Sequence, residues 1–189
     1  MNDIERLKQE LAKAKGETLK RKQIEYSQAV KDLRAEDWIE QGISFGNSRQ
    51  YEEAIKAFTN ALEIDPRYAD AYNNRGSTWA MKGNLDSAIA DYNMALEINP
   101  RLAEAYNNRG NTWAIKGNLD SAIADYNMAL EINPRLAAMT YCSRGLAWAM
   151  KGDLLQASAD AMKGLSLNPK SKVCQKLVDY LKAEMRDKR

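Results

Sequence analysis

Apolar and small side chains recur along this chain at helical steps, with breaks at regular intervals. In residues 69–102, Tyr72, Arg75, Gly76 and Trp79 fall at i, i+3, i+4 and i+7, and Ala88, Tyr92, Ala95 and Leu96 take up helical spacing again after a break. The pattern predicts two helices. Lys82-Gly83-Asn84 supplies the break, because glycine accepts the left-handed conformation that ends a helix and Asn84 stands where it can cap the next one. Pro100 then stops the second helix, since it lacks an amide hydrogen and drives Asn99 out of the helical region.

The helix pair repeats. The stretch NLDSAIADYNMALEINPRLA occurs at 84–103 and again, letter for letter, at 118–137. Residues 67–100 and 101–134 differ only at Tyr68/Leu102, Asp70/Glu104, Ser77/Asn111 and Met81/Ile115, which fixes a period of 34. Pro66, Pro100 and Pro134 share one phase, and Pro169 comes a residue late because of an extra residue near Ala137. Four helical hairpins follow, at 35–68, 69–102, 103–136 and 138–171, and the fold class is all-α.

Each unit carries a recurrent set of large and small residues. The first has Trp38, Gly42, Phe45, Ala54, Phe58, Ala61 and Pro66; the second has Tyr72, Gly76, Trp79, Ala88, Tyr92, Ala95 and Pro100; the third has Tyr106, Gly110, Trp113, Ala122, Tyr126, Ala129 and Pro134. The order of aromatic, Gly and aromatic, then Ala, aromatic, Ala and Pro resembles the tetratricopeptide repeat. The fourth unit keeps Tyr141, Gly145, Trp148, Ala157 and Pro169 but has Ala161 and Gly164 where an aromatic and Ala are expected, which predicts a loosely packed second helix. The resemblance implies a right-handed superhelical solenoid whose first helices line a concave groove, with residues 172–189 as a C-terminal capping helix.

If Tyr72, Gly76 and Trp79 face the packed side, the opposite stripe of the same helix is Asp70, Asn73, Asn74, Ser77 and Met81. The third unit repeats it as Glu104, Asn107, Asn108, Asn111 and Ile115, and Ser143 and Leu146 continue it in the fourth. These residues are the candidate peptide-binding groove. Asn74 and Asn108 form a ladder whose amides offer both donors and an acceptor to a peptide backbone; a solvated face copied by duplication is the competing explanation. Apolar contacts are expected from Ile39, Ile43, Met81, Ile115, Met139, Leu146 and Met150. Glu36, Glu40, Asp70 and Glu104 point the same way with no Lys or Arg beside them, so the expected ligand is neutral or basic. The stripe lacks the Lys and Arg with which carboxylate-clamp members of the family hold acidic tails. Arg75, Arg109 and Arg144 interrupt the packed stripe, where the family shows aliphatic residues, and are read as buried stems whose guanidinium groups pair with nearby acids.

Residues 1–34 place Ile4, Leu7, Leu11, Tyr26, Val30 and Leu33 at helical steps among many charges. They are read as an N-terminal helical segment that either packs on the first unit or serves a homodimer. At the other end, Val173, Leu177 and Leu181 form one apolar face among charges, as a solvating cap requires.

Composition narrows the chemistry. The chain has no histidine, so the usual general base and the commonest metal ligand are missing, and neither a catalytic residue, a metal site nor a cofactor is expected. Its 28 basic and 26 acidic side chains give no overall field for nucleic acid. No stretch approaches a membrane span, and the charged first residues lack a signal-peptide core, which predicts a protein that stays where it is made. Cys142 and Cys174 are too few for a disulfide scaffold and are expected as buried thiols in a reducing cytoplasm. The functional expectation is an adaptor or scaffold that binds a peptide or helix of a partner protein. A small chaperone for exported or assembling proteins, dimerising through the N-terminal helix, is the alternative.

Overall fold

A computed structural model describes residues 3–31, 34–134 and 137–187. Helices α1 (Asp3–Lys13) and α2 (Glu17–Lys31) precede four pairs. The pairs are α3 (Ala35–Asn47) with α4 (Tyr51–Ile64), α5 (Ala69–Met81) with α6 (Leu85–Ile98), α7 (Ala103–Ile115) with α8 (Leu119–Ile132), and α9 (Ala137–Lys151) with α10 (Leu154–Leu167). Helix α11 (Lys172–Asp187) closes the array. No strand occurs among the described residues. The architecture is an all-α solenoid.

Local chemistry sets the hairpins. Gly83, Gly117 and Gly152 take φ of 90°, 82° and 87° between paired helices, and Arg49 holds the same place in the first pair at φ 59°. The cap expected at Asn84 is not made, whereas Asn118 accepts from the Ser121 amide and Asp153 from the Gln156 amide. After α4, α6 and α10, the side chains of Asp65, Asn99 and Asn168 accept from the amides of Arg67, Arg101 and Lys170, turning the chain toward the next element.

Within a pair, small residues admit rings. A Cβ built on Gly76 would lie 2.9 Å from the Tyr92 ring, and one on Gly110 would lie 2.9 Å from that of Tyr126. Ala88, Tyr92 and Ala95 are buried, as are Ala122, Tyr126 and Ala129, while Trp79 and Trp113 are half-buried at the edge of these cores. Burial of a ring of this size stabilises by roughly 1.5–3 kcal/mol.

The first helices of consecutive units touch: α3 meets α5, α5 meets α7, α7 meets α9, and α9 meets α11. Second helices of consecutive units do not come within the same distance among the described residues. A stack whose first helices crowd together while its second helices splay apart curves around the first helices, so they line the inner face.

Expectations change at both ends. Residues 1–34 do not form one helix; Gly16, at φ 63°, turns the chain back, and α1 packs on α2. The Lys8 ammonium lies 5.7 Å from the centre of the Phe45 ring, and a cavity of about 480 Å³ separates α1 from α3 and α4. Tyr26, Val30 and Leu33 lie outside the residues whose side chains are described.

The fourth pair is not loose. Ala157 and Ala161 are buried, and Leu177 of α11, 2% exposed, stands beside Gly145 where the rings of Tyr92 and Tyr126 stand in earlier units. Cys142 and Cys174 are not free thiols; a disulfide joins them, with their Cα atoms 5.3 Å apart. A Cβ on Gly164 would collide with both sulfur atoms, so the glycine found in place of alanine makes room for the bond. On α11 the buried face is Cys174, Leu177 and Leu181, whereas Val173 is exposed.

Candidate functional site

The inner face is built by equivalent positions of α3, α5, α7 and α9. Glu36, Asp70 and Glu104 are exposed at the beginning of their helices, and Met139 takes that register in the fourth unit. One turn on, Asn74, Asn108 and Ser143 are partly open, with exposed Glu40 as their counterpart in α3. Ile43, Ser77, Asn111 and Leu146 share the next register; Ile43 and Leu146 are exposed and the two polar residues half-buried. Near the helix ends, Met81, Ile115 and Met150 are 64%, 69% and 64% exposed. Acid, amide and apolar side chains thus run across the face in bands.

One register departs from the sequence reading. Ile39 and Asn73 are buried, the latter only 6% exposed, and are not open to a ligand. The equivalent residues lie between successive first helices and tie them together. Asn108 donates from Nδ2 to Asn73 Oδ1 at 3.1 Å and to Ser77 Oγ at 3.3 Å. Thr140 donates to Asn107 Oδ1 at 3.0 Å. One unit further on, the same juxtaposition is occupied by Cys142 and Cys174, and the hydrogen bond gives way to the disulfide. The periodic pattern could not separate this register from its neighbours, because a residue half a turn from the core stripe faces the adjacent helix rather than water.

Behind the inner face, the arginines behave as read. Arg75 donates from Nε and Nη2 to Asp91, Arg109 to Asp125 and Arg144 to Asp160, each a two-pronged pair at 2.7–2.8 Å. Their third contacts reach the preceding unit at Thr59, Asn93 and Asn127. Each guanidinium also lies over a tyrosine ring, with 5.4 Å between Arg109 and the centre of Tyr106. The hydrogen-bonded carboxylates raise the arginine pKa values above their ordinary value despite partial burial. Burial likewise raises the phenols of Tyr92 and Tyr126, whose hydroxyls donate to Ser77 and Asn111. These groups stiffen the scaffold and leave the inner face free of cationic heads.

Between α7 and α9 the inner face deepens into an open cavity of about 420 Å³, with Ile115, Leu146 and Met150 at its mouth. Ala114, Ala147, Tyr126, Asn111 and Ser143 complete the lining. The sequence placed several of these residues on the groove without indicating a cavity, which needs the small Ala114 and Ala147 of neighbouring helices beside each other.

A curved stack of helix pairs with an open, chemically banded inner face and a stiff polar backing defines an all-α repeat protein whose accessible surface suits another chain. Family models for the tetratricopeptide repeat match residues 39–103 and 103–136, and the chain belongs to the tetratricopeptide repeat family, a protein-interaction fold. No curated protein sequence matches the chain. Among solved structures, one described as the functional characterization of Pseudomonas aeruginosa PilF is similar at a TM-score of 0.77 and 22% identity, over 81% of this chain and 69% of that one. A crystal structure of MamA protein is similar at a TM-score of 0.68 and 25% identity, over 89% of this chain and 88% of that one. As many as 342 solved chains match, so these likenesses speak to the fold and do not select a partner.

Proposed function

We propose that the protein is a non-catalytic adaptor or scaffold whose concave face holds a peptide or helix of a partner protein, neutral or basic in character. The observation that carries this reading is the alignment of exposed Met81, Ile115, Leu146 and Met150 along the inner face, where successive first helices bring them into one band; Leu155 and Met162, also exposed, lie on a second helix. Large apolar side chains left open in one band mark interaction surfaces, and methionine adapts to varied partners. The groove set is Asp70, Asn74, Ser77, Met81, Glu104, Asn108, Asn111, Ile115, Ser143 and Leu146, with Asn73 and Asn107 acting from behind as ties between helices. Asn108 has already used its donors within the fold, so the two-rung amide ladder contributes less to backbone recognition than the apolar band does.

Capture from a lysate of the native host, comparing the intact chain with an Ile115→Asp/Leu146→Asp variant, tests the reading. The partner should be lost from the variant while its helical circular dichroism is retained; equal capture by both proteins would refute it. The second reading, a small chaperone dimerising through residues 1–34, draws on the α1–α2 hairpin, which leaves Ile24 71% exposed. A dimer in sedimentation that disappears on Ile24→Glu supports it, and a monomer throughout rejects it.

No helix among the described residues is long and apolar enough to cross a membrane.

A further inference from the structure

The bands of the inner face also change along the length of the stack. Glu36, Asp70 and Glu104 occupy one register in the first three units, with Glu40 beside them, and Met139 replaces the acid in the fourth. All four carboxylates are exposed, and none is in an ion pair with a described residue. The first two units contribute one exposed apolar side chain each, Ile43 and Met81, whereas the fourth contributes Met139, Leu146 and Met150, the last two lining the cavity between α7 and α9 together with Ile115. No Lys or Arg stands in any of the four inward registers. The nearest lysines, Lys82, Lys116 and Lys151, are paired with Glu52, Asp86 and Asp120 of the preceding unit and lie over Trp79, Trp113 and Trp148.

We infer that the groove is directional and takes a partner segment with a basic stretch on one side of a large apolar residue, the apolar residue entering the α7–α9 cavity and the basic stretch lying along Glu104, Asp70 and Glu36. The inference rests on the groove reading above and adds the partner's chemistry and orientation to it. Charge complementarity selects the occupant: exposed carboxylates without internal cations favour a cationic segment and repel an acidic one. The cavity supplies the anchor, since a buried apolar side chain near the centre of an interface carries a disproportionate share of binding energy. With the Asn108 donors held by Asn73 and Ser77, sequence-blind gripping of the backbone is reduced, and recognition passes to the two side-chain classes.

Selection of a displayed library of random peptides on the intact chain tests this, followed by affinity measurement of the enriched peptides. They should carry Lys or Arg clustered on one consistent side of Leu, Met, Phe or Trp, and should bind more weakly as salt rises. Glu36→Lys/Asp70→Lys/Glu104→Lys should weaken them by about tenfold or more through like-charge repulsion. Ile115→Ala/Leu146→Ala should weaken them by about fivefold or more through loss of the anchor. Circular dichroism and melting of both variants confirm that the fold is kept. Enriched peptides that are acidic, or that respond to the apolar variant but not to the charge reversal, overturn the inferred polarity and leave the groove reading standing. Peptides that respond to neither variant, or a selection that enriches nothing, overturn both.

Discussion

Arg49 stands at φ 59° in the turn where the other three units use glycine, so an L side chain carries a conformation that costs about 1 kcal/mol relative to glycine. Arg49→Gly should therefore raise the thermal midpoint, by an amount equivalent to roughly 0.5–1 kcal/mol, and a lowered midpoint would show that the arginine makes a compensating contact. The Arg109–Asp125 pair works in the opposite sense. Removing the carboxylate in Asp125→Ala leaves a mostly buried guanidinium without its partner, at a cost of about 2–3 kcal/mol in chemical denaturation, below the full penalty because part of Arg109 still meets water. A change under about 0.5 kcal/mol would place the pair among surface ion pairs instead. The sequence made the need for a carboxylate legible, because an arginine on a packed stripe must be neutralised. It did not show that the partner lies sixteen residues on, a choice made by the hairpin geometry. The tyrosines add a pH dependence. Burial raises the phenol pKa of Tyr92 and Tyr126 in the folded state, so their contribution to stability is complete below the ordinary tyrosine value near 10 and is lost as pH climbs above it. Tyr92→Phe/Tyr126→Phe should melt with a flatter alkaline profile than the parent, and an unchanged slope would assign the alkaline loss to other groups.

Among the elements, α10 and α11 illustrate how a deficit read in one segment is met by another. Ala161 and Gly164 lack the bulk that Tyr126 and Ala129 provide in the third unit, and taken alone they predict a weak hairpin. Leu177 and the Cys142–Cys174 bond fill that space from α11, so the fourth pair and the terminal helix are complementary. Local pattern could identify the missing ring but not a replacement arriving from the next element. A bond closing a loop across 32 residues stabilises by roughly 3–4 kcal/mol on chain-entropy grounds. Reductant, or Cys142→Ala/Cys174→Ala, should lower the unfolding midpoint accordingly and raise hydrogen exchange in α11 before the earlier helices. Equal midpoints with and without reductant would mean that packing alone holds the helix. At the amino end, the helical steps of Ile4, Leu7 and Leu11 predict a helix but not its reversal; the positive φ of Gly16 makes the segment a hairpin, which only three-dimensional geometry discloses.

For the molecule as a whole, the repeat period, the helix pairs and the ring-into-glycine packing were legible because near-identical units repeat the same local solution. The inner face was legible only in part. A helical stripe shows what points away from the core, but curvature decides which neighbours close over it, and this is why Asn73 is shut in while Met81, Ile115 and Met150 remain open. The central claim is that the first helices form the working face and the second helices form its outer support. Exposed methionines on both layers can report on it: Met81, Met139 and Met150 belong to first helices, and Met94, Met128 and Met162 to second helices. Methyl-labelled methionine resonances recorded while a selected peptide is titrated into the intact chain provide the direct measurement. The account predicts progressive shifts at Met139 and Met150, a smaller shift at Met81 and still lines for Met94, Met128 and Met162; shifts confined to the second-helix methionines would contradict it.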